Sequence, residues 1–157
     1  RSNVFVGWGV SSLVVELAYM RFCIMGLPSM LMKRSGLSIV EQIRCVPKDS
    51  LIIVCEMPSY SVDVTEAVEE GRENGVNIVT ITDSPAAPVC AYASLSFFVS
   101  AASPTFGSSI LGPVFLLHLL TSSLLVHLGE PARAAMEKEA RYLRDERFFH
   151  PIFGQKY

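Results

Sequence analysis

The chain of 157 residues has four cysteines but no CxxC pair, no run of Lys or Arg, and only three histidines. Each gap excludes a class of chemistry. Cys23, Cys45, Cys55 and Cys90 are too widely spaced for a zinc site or a disulfide framework, so free, buried thiols in a reducing cytoplasm are expected. Without a basic run, and with a formal net charge of -2, this stretch is not built to grip nucleic acid by itself. His118 and His127 are nine residues apart. At ~100° per residue they fall on opposite helix faces and cannot share a metal. No metal or other cofactor is expected. The N-terminus has no basic segment leading an apolar run, hence no signal peptide is read there. The chain opens on Arg1 at the threshold of a strand, and a fragment with an upstream part is expected.

What is present is apolar material in alternating patterns. Half of the residues are hydrophobic and 18% are charged, as suits one well-buried domain. Strands are predicted at Val4–Gly7, Ser29–Met32, Leu51–Cys55, Val76–Ile81 and Leu95–Val99. Helices are predicted at Ser11–Met25, Leu37–Val46, Ser61–Asn74, a short piece near Pro88–Tyr92, Ser108–Leu128 and Pro131 to about Arg147. The first helix is expected to turn Leu13, Val14, Leu17, Ala18 and Met20 or Phe22 inward. Alternating β and α segments imply an α/β fold, a three-layer sandwich with a five-stranded parallel sheet.

The segment 110–128 is strongly apolar, yet it carries Pro113, His118, Thr121, Ser122, Ser123 and His127. A helix buried in a core or a subunit interface is expected there rather than a membrane span. With no Asp or Glu in that stretch, His118 and Glu56 are the only general-base candidates for an enzyme of this shape. His118 is more simply a hydrogen-bonded core or interface residue. His150 lies in the aromatic tail at 148–151, read as a docking segment.

Two loops are candidates for a binding site. Gly7-Trp8-Gly9-Val10-Ser11-Ser12 links an apolar strand to a helix start, where glycines allow close approach and helix-end N–H groups suit an anion. Glu56-Met57-Pro58-Ser59-Tyr60-Ser61 follows the clearest strand. In an open α/β sheet of order 2-1-3-4-5, these loops meet where strand order reverses. The pattern Gly7-x-Gly9-x-x-Ser12 lacks the third glycine of a dinucleotide turn, and Met32-Lys33-Arg34 offers no ribose-binding acid, which argues against NAD.

The loops, with Glu73-Asn74-Gly75-Val76 through Asp83-Ser84-Pro85 and with Ser108-Ser109 before an apolar helix ending in Leu128-Gly129-Glu130, resemble the sugar isomerase (SIS) domain. Within it, the chain resembles the effector half of RpiR/MurR-type bacterial transcription regulators. The resemblance implies a flavodoxin-like strand order and an effector-binding domain at 1–130, with a C-terminal helix and tail, 131–157, packing on it. It also implies a small-molecule partner, a sugar phosphate or related metabolite, and a homodimer or higher homo-oligomer formed through the 108–128 helix. DNA would be met only through an absent N-terminal helix-turn-helix, and no membrane is involved. The ligand-binding residues implied are Gly7, Gly9, Ser11, Ser12, Glu56, Ser59 and Ser61, with no catalytic residue assigned.

The second loop of the family resembles Ser-x-Ser-Gly-x-Thr. Here Glu56 and Pro58 replace both leading serines, and only Ser61 keeps a hydroxyl at the final position. A carboxylate at Glu56, with Asp63 one helical turn on, repels a phosphate dianion unless paired or protonated. Ser61 is alternatively a helix N-cap, Ser59 a loop residue, and Asp83-Ser84-Pro85 a turn. Two rival readings stay open: a phosphosugar isomerase, and a degenerate domain that serves only as a dimerisation scaffold.

Overall fold

The structure, a computed structural model, describes residues 1–145, and in it the apolar runs are strands and the periodic segments helices. Strands β1 (Asn3–Gly7), β2 (Ser29–Leu31), β3 (Leu51–Cys55), β4 (Asn77–Thr82) and β5 (Leu95–Phe98) form one sheet. All its neighbours are parallel, in the order β2-β1-β3-β4-β5. Helices α1 (Val10–Ile24), α2 (Ile39–Arg44), α3 (Val62–Glu73), α4 (Leu111–Leu128) and α5 (Glu130–Asp145) connect or follow the strands. Pro88–Ala91 is a single 3-10 turn. The α/β class and the strand order expected from the sequence are both observed.

Side-chain alternation along the strands divides the core in two. Val4 and Val6 of β1 join Ile52, Val54 and Ile78 against α2 and α3. Phe5 points the other way, with Val14, Val15 and Ala18 of α1 and Leu117 of α4. The middle strands are therefore apolar on both faces, as a sheet covered by helices requires. The start of α2 is fixed by a capping box. Ser38 Oγ accepts from the Glu41 N–H at 3.2 Å, and Glu41 Oε2 accepts from the Ser38 N–H at 2.8 Å. The Ser38 hydroxyl also donates to Glu41 Oε2 at 2.7 Å, and this bond, with that from the Ser38 N–H, holds the Glu41 carboxyl below its ordinary range.

Three expectations need correcting. On α1 the inward residues are Ser11, Val14, Val15 and Ala18, while Leu13 and Met20 are 59% and 53% exposed. The helix is apolar nearly all round, so periodicity did not fix which side meets the sheet. Among the cysteines only Cys55 is buried; Cys23 and Cys45 are exposed and Cys90 is half-buried. Cys55 alone lies on a central strand.

The third correction concerns α4. This helix is long and apolar enough to cross a membrane by length and composition alone, but it packs on α1 and α5. Only Pro113, Leu117 and Thr121 are buried, whereas Leu111, Phe115 and Val126 are 78%, 66% and 77% exposed. As a core helix within this chain it is excluded, because nothing in the described residues covers its outer side. His118 is exposed rather than a core residue. His150 and the rest of the aromatic tail lie outside the described residues.

Candidate functional site

Register brings the two candidate loops together. Gly7 of β1 pairs with Cys55 of β3, which in turn pairs with Ile81 of β4, so the loops beyond β1, β3 and β4 leave the sheet level with one another. The two glycines of the first loop have different reasons to be there. A Cβ on Gly7 would stand 2.9 Å from the Ser11 carbonyl oxygen and 3.1 Å from Val15 Cγ2, so a side chain would push α1 off the strand. Gly9 has open space around it but sits at φ +56°, a left-handed conformation at the head of α1 that glycine adopts freely.

Between the loops lies a cleft of about 220 Å³, with Trp8, Gly9 and Ser11 on one side and Glu56, Pro58, Ser59 and Ser61 on the other. It shares Pro58 and Ser59 with an open hollow of about 550 Å³ that continues to Asp83, Ser100 and Ser108. The Ser108 hydroxyl donates to the Pro58 carbonyl at 3.4 Å, so the lead into α4 closes against the β3 loop. The cleft and its extension lie at the carboxyl ends of the strands, the usual ligand position in open α/β sheets.

Five of the seven sequence-predicted residues, Gly9, Ser11, Glu56, Ser59 and Ser61, line this cleft. Gly7 lies at the end of β1 and sets the turn. Ser12 turns its hydroxyl back to the Gly9 carbonyl at 2.7 Å. The N–H groups of Ser11 and Ser12 are likewise occupied, by the carbonyls of Trp8 and Gly9 at 3.1 Å each. The head of α1 thus offers a ligand the Ser11 side chain rather than these backbone donors. That side chain is buried beside the Cys55 thiol, which burial pushes up to about 12 although Ser11 pulls the other way.

The second loop is organised by Glu56. Its carboxyl is 3% exposed, and Oε1 accepts the Ser61 N–H at 2.6 Å. Oε2 is buried with no partner. Burial pushes its pKa up to about 7 although the Ser61 N–H pulls the other way. Ser61 is the N-cap of α3 by position, yet its hydroxyl makes no cap bond; the Glu56 carboxylate takes its backbone donor instead. Ser59 carries φ +77°, the one left-handed non-glycine residue among those described.

Nearby cations are committed elsewhere. Lys33 reaches Glu16 at 2.9 Å, and Arg34 reaches Asp63 at 2.9 Å. Arg34 also lies over Trp8, 5.2 Å from the ring centroid, and so crosses the cleft mouth from the first loop to α3. Trp8 as a wall was missed in the sequence; an aromatic between two glycines was the available signal. His118, on α4, does not line the cleft. Among the described residues there is no group of His, Cys, Asp and Glu able to hold a metal ion.

A further hollow, about 350 Å³ and mostly apolar, lies between α1, α4 and α5, with Leu17, Met20, Ile24, Leu125 and Met136 on its walls. It is far less polar than the cleft.

The family profile described as "SIS domain" matches residues 4–123. No curated protein matches the sequence. Among solved structures, the sugar isomerase domain of the RpiR transcription factor from Sphaerobacter thermophilus superposes with TM-score 0.84 at 20% identity, covering 90% of this chain and 79% of that one. The Vibrio vulnificus NanR protein complexed with ManNAc-6P gives TM-score 0.79 at 19% identity, covering 92% of this chain and 55% of that one. A Methanococcus jannaschii protein whose structure infers a 3-hexulose-6-phosphate isomerase function gives 0.64 at 17% identity, covering 88% and 76%. At these identities the likeness is one of fold, and it extends to regulators and isomerases alike.

Proposed function

The chain belongs to the SIS domain family, and on that premise we propose that it is the metabolite-sensing and self-associating domain of a cytoplasmic bacterial transcription regulator. Its effector is a phosphorylated sugar or related metabolite. The carrying observation is the cleft between the β1 and β3 loops, with the Ser11, Ser59 and Ser61 side chains and one buried carboxyl converging on it. Gly7 and Gly9 shape the wall, and Ser12 holds the first turn of α1 in place. The exposed apolar side of α4 supports a homodimer, since an isolated subunit would leave Leu111, Phe115, Leu119 and Val126 in water. Effector binding would favour one subunit arrangement through a difference in affinity between two, and so reset the spacing of DNA-binding arms carried by a separate helix-turn-helix segment.

The test is thermal unfolding against sugars, amino sugars and sugar phosphates. An effector at ~100 times its Kd adds about 2.7 kcal/mol, an easily seen shift. No shift across the panel would favour the scaffold reading.

One observation favours the isomerase as a second reading. Burial pushes the Glu56 carboxyl up to about 7 inside the cleft, the range that suits a general base at neutral pH. Aldose–ketose turnover abolished by Glu56→Gln would establish it, and absence of turnover with a bound sugar phosphate would dismiss it.

A further inference from the structure

Glu56 stands on the strand side of the cleft, with Oε1 on the backbone N–H at the head of α3 and Oε2 buried without a partner. The head of a twelve-residue helix is a place where an external anion would ordinarily settle, because backbone donors and the helix dipole both face it. Here a carboxyl of the chain itself stands at that place. The Ser61 N–H, the outermost of the donors there, is spent at 2.6 Å on it, and the Ser61 hydroxyl makes no cap bond.

The surroundings hold a phosphate no better. Asp63 adds a second carboxylate in the first turn of α3, and Arg34, the cation at the rim, is paired with it at 2.9 Å. Lys33 is paired with Glu16. Among the described residues no cation is paired with Glu56, and no positive group contributes to its acidity, which is set by burial against one backbone bond. A phosphate dianion entering here would have to displace a buried carboxyl and face Asp63. A hydroxyl or amine would instead supply the donor that Oε2 lacks, with Ser59 and Ser61 as further partners and Trp8 as an apolar wall for a sugar face.

We infer that the Glu56 carboxyl occupies the anion seat at the head of α3, so that the cleft takes the hydrogen-donating groups of an unphosphorylated sugar or amino sugar instead of a phosphate. This narrows the sensing reading from a phosphorylated sugar or related metabolite to an unphosphorylated one, and rests on it for the identity of the ligand as a sugar. The occupancy of the seat does not rest on it.

The experiment has two arms on the intact chain. In the first, inorganic phosphate is titrated by calorimetry into the wild type, Glu56→Ser and Glu56→Gln, with circular dichroism to verify folding. Glu56→Ser vacates the seat and is expected to gain at least tenfold in phosphate affinity. Glu56→Gln keeps an oxygen on the Ser61 N–H while removing the charge, and is expected to gain little. Tight phosphate binding by the wild type, or equal gain in both variants, overturns the occupied seat; a tenfold gain in Glu56→Gln does so even if Glu56→Ser fails to fold. In the second arm, N-acetylmannosamine and its 6-phosphate are compared. The wild type is expected to prefer the unphosphorylated sugar by at least tenfold, and a preference for the ester overturns the ligand class. If neither sugar nor any other in the panel binds, the sensing reading falls together with the ligand class, while the phosphate arm still decides the seat.

Discussion

The Tyr60 hydroxyl donates to Asp83 Oδ1 at 2.7 Å, and this one bond joins the loop after β3 to the loop after β4. Both loops border the binding hollow. The bond also raises the Tyr60 phenol to about 12, since ionising it would set a negative oxygen against a carboxylate. Tyr60→Phe is expected to cost about 1 kcal/mol in urea denaturation. Its larger effect is expected in ligand affinity, which falls several-fold as the two loops lose registry; unchanged affinity would mean that the loops are held by other contacts.

Glu56 gives the protein a pH-dependent stability with a defined sign. Burial pushes its pKa in the folded chain up to about 7 from an ordinary 4.5, so its contribution is full below pH 4.5 and is lost as pH rises through 7. Glu56→Gln removes this dependence. Comparing the two proteins by denaturation at pH 5 and pH 8, the wild type is expected to lose on the order of 2 kcal/mol more than the variant. Parallel losses would place the titration elsewhere.

The two glycines of the first loop should respond differently to the same substitution. Gly7→Ala drives a Cβ into the Ser11 carbonyl and Val15, and is expected to cost about 1–3 kcal/mol and to weaken ligand binding because α1 shifts. Gly9→Ala meets no atoms within 4 Å but must hold φ +56° and ψ -132°, a region nearly reserved for glycine, at about 1–3 kcal/mol with no shift of α1. Ligand affinity, measured beside thermal melts of the pair, separates crowding from conformation.

Self-association through α4 predicts a thermal midpoint that rises with protein concentration. Phe115 and Leu119 are 66% and 48% exposed, so Glu at either position leaves the monomer fold intact. Each substitution is expected to weaken a dimer by about 2 kcal/mol, roughly thirtyfold in sedimentation equilibrium. A wild type that sediments as a monomer at all concentrations would refute the interface.

The sheet was legible because β3 reads Leu51-Ile52-Ile53-Val54-Cys55, an unbroken β-rich run between polar residues that no helix of that length would use. The loops followed, since Gly9 and Gly75 both take positive φ where the sequence marks turns. The inner face of α1 was not legible: Leu13 and Val15 are equally apolar, and only contact with the sheet chooses between them. Ser61 shows the same limit at the site. Its position as a helix N-cap was readable, but that a carboxylate five residues earlier would take its N–H depends on how the loop folds back. The pairing of Arg34 with Asp63 joins segments far apart in sequence and left no local trace.

Trp8 is the sole tryptophan of the chain, 47% exposed, and it forms a wall of the cleft beneath the Arg34 guanidinium. The protein therefore carries its own optical probe at the place where an effector would lodge. Indole emission, excited apart from the tyrosines, responds to the cation above it and to the water around it, so occupancy is readable from intensity and colour without any attached dye. Because no second indole dilutes the signal, a fluorescence titration reports this one cleft and nothing else.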